Sequence, residues 1–201
     1  MKTPKLVTII QIVTDRLRRR RIPWALIGAL ARSAYGLPRY TSDIDLLCDG
    51  RHANRISEVM AGLGYQTLQV TDAFAQFTSE MNVLGKIDFL FVRTPDGIRI
   101  LEDRARITDE TLGEIDVVQP TDYLVLKLMA VANNPSRRAG DEADMVSLLK
   151  AWKAGQLPDA YEAIDTARLL TMADRFRQRA LMESILAEVR QWPEENGKHS
   201  L

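Results

Sequence analysis

The chain has 201 residues, of which 46% are hydrophobic, and its 27 basic residues are balanced by 27 acidic ones. This length and apolar content are typical of a folded protein with one large domain or two small ones. The charge balance excludes a strong overall field for nucleic acid or anionic membrane, so any such contact must be local.

Cysteine and histidine are scarce in this sequence. Cys48 is the only cysteine, which excludes an internal disulfide and a thiolate metal cluster, and His52 and His199 are too few for an imidazole-rich zinc site. No apolar run approaches the ~20 residues that span a bilayer, and no secretion signal is recognisable, so we predict a cytoplasmic protein without membrane contact. Its chemistry must therefore depend on carboxylates.

The first elements are predicted to be a helix, a strand and a second helix. Apolar residues at helical spacing over 6–17 predict an amphipathic helix that ends in the basic run at 16–21. Residues 24–28 predict a buried strand and residues 29–35 a helix, with a turn at Gly28 between them. The basic run lacks interleaved aromatic residues, which favours a solvated helix face over RNA contact.

Further along the chain, strands dominate up to residue 119. Alternating or apolar runs predict strands at 43–48, 66–70, 74–77, 86–92 and 114–118, with helices near 53–63 and 98–104. From Pro120 the apolar period is helical. We therefore predict an α+β domain at 1–119, a helical region at 120–201 and a loose polar tail from Pro193.

Two aspartates stand one residue apart in the predicted strand at 43–48. Side chains two apart on a strand face the same side, so Asp43 and Asp45 project together. Two like charges side by side are unfavourable unless they share a proton or bind a cation, and carboxylate oxygens suit Mg²⁺. The alternative is that both aspartates face solvent on an edge strand.

Two neighbouring features strengthen the metal hypothesis. The turn at Gly28 is a candidate phosphate site, although the glycine could serve the turn alone. Asp88 lies between apolar residues of the predicted strand at 86–92, where an unpaired carboxylate is costly. Asp88 either joins the same cation or pairs with Lys86 on an edge strand.

These motifs resemble those of the nucleotidyltransferase superfamily, with a glycine turn in "LIGALARS", D-x-D in "TSDIDLL" and a third aspartate in "KIDFLFV". The resemblance implies a nucleotidyltransferase-like mixed β-sheet flanked by helices, followed by a helical C-terminal part. It also implies Mg²⁺-dependent transfer of a nucleoside monophosphate (NMP) from a nucleoside triphosphate (NTP) to a hydroxyl of a tRNA, a protein or a small molecule. The implied catalytic and metal-binding residues are Asp43, Asp45 and Asp88, and the implied nucleotide-binding residues are Gly28, Ala29, Ser42 and Lys127.

Within that superfamily, the sequence is most similar to toxins of abortive-infection (type IV) toxin–antitoxin systems. Lys127 would be their helical lysine, and "RAGDEAD" would supply accessory residues Arg138, Asp141 and Asp144, which implies an antitoxin partner. From the residues alone, it is equally expected that the Lys127 side chain reaches out to water. The spacing of Asp141 and Asp144 favours a helix cap. Ala29 and Gly140 depart from the family pattern, which supports the alternative of a non-catalytic nucleotide-binding or regulatory module.

Overall fold

The computed structural model describes residues 4–79 and 85–193, so the predicted polar tail lies outside the described residues from position 194 onward. Helices make up about half of the described chain. They are α1 (Pro4–Arg19), α2 (Gly28–Ala34), α3 (Ala53–Gly62), α4 (Pro95–Glu102), α5 (Pro120–Asn133), α6 (Arg138–Lys153), α7 (Thr166–Arg175) and α8 (Arg179–Gln191). None of these described helices has the length and apolar content needed to cross a bilayer.

The described strands form one mixed sheet. They are β1 (Trp24–Leu26), β2 (Asp43–Asp49), β3 (Tyr65–Val70), β4 (Phe74–Ser79), β5 (Lys86–Val92), β6 (Ala105–Asp109) and β7 (Gly113–Val117). Their order in the sheet is β3-β4-β5-β2-β1-β7-β6. The pairs β2–β5 and β1–β7 are parallel and the others antiparallel, which confirms the predicted α+β class with a mixed sheet.

The chain divides into two compact units. The sheet unit comprises Met1–Ala34 and Pro38–Val118, and the helical unit comprises Tyr35–Leu37 and Gln119–Leu201. The short segment Tyr35–Leu37 belongs with the helices because the Tyr35 ring packs edge-on against the rings of Tyr123 and Tyr161, at centroid distances of 5.7 and 4.9 Å.

The core of the sheet unit lies against one face of the central strands. Ile44, Leu46, Ile87 and Phe89 are fully or almost fully buried there. Because successive side chains of a strand alternate between the two faces, the residues between them point to the opposite face. That opposite face is only partly covered at β2, β4 and β5, and it carries most of the polar residues of these strands.

Cys48 of β2 is completely buried. Burial and the neighbouring Asp49 carboxylate raise the pKa of its thiol far above the ordinary value. Cys48 therefore packs as a small hydrophobic residue of the core.

Two elements differ from the sequence prediction. The helix predicted at 98–104 begins three residues earlier, because Thr94 caps it by accepting a hydrogen bond from the Gly97 amide, and Pro95 follows in the first turn. Strand β6 was not predicted. It is an edge strand paired with β7 alone, so it contains charged residues and lacks an apolar run.

Candidate functional site

The three candidate carboxylates lie on the same face of the sheet. The parallel register of β2 and β5 pairs Asp45 with Asp88 and Asp43 with Lys86. Paired positions of neighbouring strands point to the same side, and all four side chains are partly exposed. Since β2 lies between β5 and β1, the alternative that the aspartates occupy an edge strand is wrong.

Gly28 lies directly against Asp45. Its φ is +64°, and a Cβ built on it would come within 2.2 Å of Asp45 Oδ2. The Ile27 amide donates a hydrogen bond to the Asp45 carbonyl oxygen at 3.1 Å, which fixes this approach. A glycine at position 28 is therefore needed both for the turn and for the space that the carboxylate occupies. Ala29 follows it in the first turn of α2 and is buried.

The start of β2 is held by side-chain hydrogen bonds. The Ser42 hydroxyl lies 3.1 Å from Asp43 Oδ1, to which it donates, and Thr41 Oγ1 accepts from the Asp43 amide at 3.1 Å. These bonds orient the Asp43 carboxylate. Ser42, which was predicted to bind nucleotide, uses its hydroxyl here as a hydrogen-bond donor to Asp43.

Asp88 already has a cationic neighbour. Lys86 Nζ lies 2.9 Å from Asp88 Oδ2, and Gln76 Nε2 donates to the same oxygen at 3.4 Å. Asp88 Oδ1 is buried and has no hydrogen-bond partner within the described part of the chain. The predicted alternative that Asp88 pairs with Lys86 is therefore observed, but in the interior of the sheet and not on an edge strand.

The three aspartates could supply only some of the ligands that Mg²⁺ requires. Within residues 4–79 and 85–193, no three acidic, histidine or cysteine side chains are arranged to hold a metal ion by themselves. Mg²⁺ does not require such a cage, since it is commonly bound by one or two carboxylates together with water and substrate phosphates. The oxygen-only donors and the unpartnered Asp88 Oδ1 are compatible with that mode of binding.

A second ionic cluster lies inside the helical unit. Lys127 Nζ is 2.6 Å from Asp141 Oδ1 and 2.7 Å from Asp144 Oδ2, with only 12% of the lysine side chain and 5% of each aspartate side chain exposed. Burial lowers the pKa of Lys127, but Tyr123 and the two hydrogen-bonded carboxylates outweigh it, so that this pKa lies above its ordinary value. The alternative that Lys127 reaches out to water is therefore wrong.

Asp141 is not a helix cap. Helix α6 begins at Arg138 after a 3₁₀ turn at Pro135–Arg137, which places Asp141 about one turn inside the helix. Arg137, four residues before Asp141, lies 3.4 Å from its Oδ2, and Arg138 lies 3.4 Å from Glu142; both arginine side chains are mostly exposed. The sequence analysis did not identify the i, i+4 pairing of Arg137 with Asp141.

Replacing Gly28 with alanine is expected to disrupt the carboxylate face. The new Cβ would overlap Asp45 Oδ2 and displace the carboxylate, in addition to the roughly 1–2 kcal/mol cost of a side chain at positive φ. Gly64→Ala is the matched control, because Gly64 has φ +81° but open space around its Cβ position. Calorimetric titration with Mg²⁺ and a non-hydrolysable NTP should show lost binding for Gly28→Ala alone; equal binding by both variants would contradict the role of Gly28.

The chain is similar to known proteins in its fold and not in its sequence. No protein-family model matches the chain, and no curated protein matches it. Several solved structures share its fold. ANT(2'')-Ia in complex with adenylyl-2''-tobramycin is 13% identical over 87% of this chain and 98% of its own, with a TM-score of 0.58.

Two other structures agree with this likeness. An antigenic nucleotidyltransferase-like protein from Paracoccidioides brasiliensis is 15% identical over 93% of this chain and 94% of its own, with a TM-score of 0.54. The lincosamide antibiotic adenylyltransferase LnuA, bound to lincomycin, is 12% identical over 70% of this chain and 94% of its own, with a TM-score of 0.52. The chain therefore has the α+β fold of nucleotidyltransferases.

Proposed function

We propose that the chain is a nucleotidyltransferase that moves an NMP from an NTP to an acceptor hydroxyl. The observation that carries this proposal is the joint placement of Asp43, Asp45 and Asp88 on one sheet face, with Gly28 against Asp45. Asp43 and Asp45 would hold Mg²⁺, which when bound neutralises and orients the triphosphate. The sequence motifs predict these three aspartates as metal ligands, and the part of Asp88 in holding the metal stays a prediction.

The chain's own residues would perform distinct steps. Asp88 is proposed to accept the proton of the attacking hydroxyl, because it lies in register with Asp45 on the carboxylate face and is partly exposed there. Gly28 and Ala29 would bring backbone amides to the triphosphate, and Ser42 would add its hydroxyl after leaving Asp43. Lys127 would have to leave Asp141 and Asp144 to contact a phosphate, so its role in nucleotide binding stays a prediction. The accessory roles of Arg138, Asp141 and Asp144 also stay predictions.

The acceptor is proposed to be a tRNA, a protein or a small molecule. Among these, the likeness to structures holding adenylyl-tobramycin or lincomycin favours a small hydroxylated compound. A toxin role with an antitoxin partner stays a prediction from the motif resemblance.

A transfer assay with two label positions tests the proposal. The full chain is incubated with Mg²⁺, each NTP in turn and three acceptor pools, namely tRNA, cell extract protein and lincomycin or tobramycin. We expect label from the α-phosphate to appear on one acceptor pool, label from the γ-phosphate to appear on none, and EDTA to abolish transfer. Transfer of γ-label would instead indicate phosphoryl transfer.

The same assay addresses the non-catalytic alternative. The Lys86–Asp88 ion pair favours this alternative, because Lys86 contacts the carboxylate that is proposed as the general base. Calorimetric binding of a non-hydrolysable NTP without any transfer of α-label would identify the chain as a nucleotide-binding module.

A further inference from the structure

We propose that Lys86 is an exchangeable counter-ion of the carboxylate face, which occupies Asp88 until a metal-bound nucleotide displaces it. The free protein would then bind divalent metal weakly, and nucleotide would strengthen that binding. This inference rests on the proposed function, because it assigns to Lys86 a role in loading the same site.

The position of Lys86 supports this role. It begins β5, is paired in register with Asp43, and contacts Asp88 two residues further along the same face. Its ammonium thus contacts Asp88 on the sheet face that also carries Asp43 and Asp45. Within the described chain, Asp88 is its only hydrogen-bond or ion-pair partner outside the backbone ladder.

The Lys86–Asp88 pair is also able to open. Side-chain exposure is 32% for Lys86 and 26% for Asp88, so the ammonium can return to water without crossing the core. Ion pairs with access to water contribute little to stability, so breaking this pair costs little. A buried pair such as Lys127 with Asp141 would not exchange in this way.

Electrostatics makes the ammonium and a metal ion competitors. The formal charges of the three carboxylates and the Lys86 ammonium add up to −2, and without Lys86 the carboxylates alone give −3. An ion that binds Asp88 Oδ2 must displace Lys86, and an ion that binds only Asp43 and Asp45 is still repelled by it. A triphosphate brings negative charge that attracts the released ammonium, which couples metal binding to nucleotide binding.

Titration with Mn²⁺ alone, followed by electron paramagnetic resonance of the unbound ion, tests this inference. We expect Lys86→Met to bind Mn²⁺ roughly ten-fold more tightly than the wild-type chain in the absence of nucleotide. Lys86→Arg should behave like wild type, since it keeps the charge. Arg99→Met removes one positive charge from an exposed pair elsewhere in the sheet unit and should leave Mn²⁺ affinity unchanged.

A second titration measures the coupling. Adding a non-hydrolysable ATP analogue should strengthen Mn²⁺ binding of the wild type by a larger factor than that of Lys86→Met. Lys86→Gln provides an independent variant if Lys86→Met fails to unfold cooperatively on heating.

The outcomes separate the two proposals. Equal Mn²⁺ affinity of wild type and Lys86→Met, with Mn²⁺ binding lost in Asp43→Asn, would overturn the counter-ion role and leave the proposed function intact. Weaker binding by Lys86→Met would also overturn it. If neither the wild type nor the Lys86 variants bind Mn²⁺, with or without nucleotide, the metal site itself is refuted.

Discussion

Replacing Asp43 with asparagine is expected to lower NMP transfer by at least about a hundred-fold. The substitution keeps the shape of the side chain, so the hydrogen bond with the Ser42 hydroxyl can persist through the amide oxygen. It removes the negative charge on which the proposed metal binding depends, at the first residue of β2. The measurement is the initial rate of α-label transfer at saturating NTP, with thermal unfolding as a check that the fold is kept.

Asp72→Asn is the matched control for this experiment. Asp72 lies in the turn between β3 and β4, its side chain is fully exposed, and its contact with Arg93 is a long 3.7 Å. The same loss of charge at position 72 should leave the rate unchanged. An Asp43→Asn variant that transfers at the wild-type rate would show that the carboxylate face is not the catalytic site.

Replacing Lys127 with methionine is expected to destabilise the helical unit by about 3–5 kcal/mol. The substitution keeps the length of the side chain but removes the ammonium that lies 2.6 Å from Asp141 and 2.7 Å from Asp144, both of them buried. The mostly exposed Arg137, 3.4 Å from Asp141, is a weaker cationic neighbour. The free energy of unfolding in urea measures the effect. Arg138→Met, which removes an exposed i, i+4 pair on the same helix, should cost about 0.5 kcal/mol or less.

The pH dependence gives an independent check on Lys127. Its pKa is raised in the folded state, so its contribution to stability is fully present below its ordinary pKa of 10.5 and is lost as the pH rises through the higher folded value. The difference in unfolding free energy between the wild type and Lys127→Met should therefore stay constant from pH 7 to about 10 and shrink above that. A difference that already vanishes near pH 8 would contradict a charged, buried lysine.

The acidic face was predictable in part from local sequence. The period of two along a strand places Asp43 and Asp45 on one side, and the branched and aromatic residues around Asp88 predict a strand there. The alignment of Asp45 with Asp88 was not predictable, because it depends on a parallel register between strands separated by a helix and two further strands. Local patterns carry no information about such distant pairing.

The predictions that failed did so for similar reasons. The Asp141 cap was wrong because the 3₁₀ turn at Pro135–Arg137 moves the start of α6 upstream, and the charge of Lys127 is satisfied by a helix that follows it in sequence. The Lys86–Asp88 pair was considered only for an edge strand, whereas β5 lies within the sheet. Each failure concerns a tertiary contact that overrides a sound local pattern.

The seven paired positions of β2 and β5 have a consequence for how such a chain can diverge. The spacing of Asp45 and Asp88 is set by main-chain hydrogen bonds, which do not depend on the identity of most side chains in between. Substitutions can therefore accumulate widely while the acidic pair stays aligned. A single-residue insertion within either strand, by contrast, would turn one aspartate toward the hydrophobic interior and divide the pair.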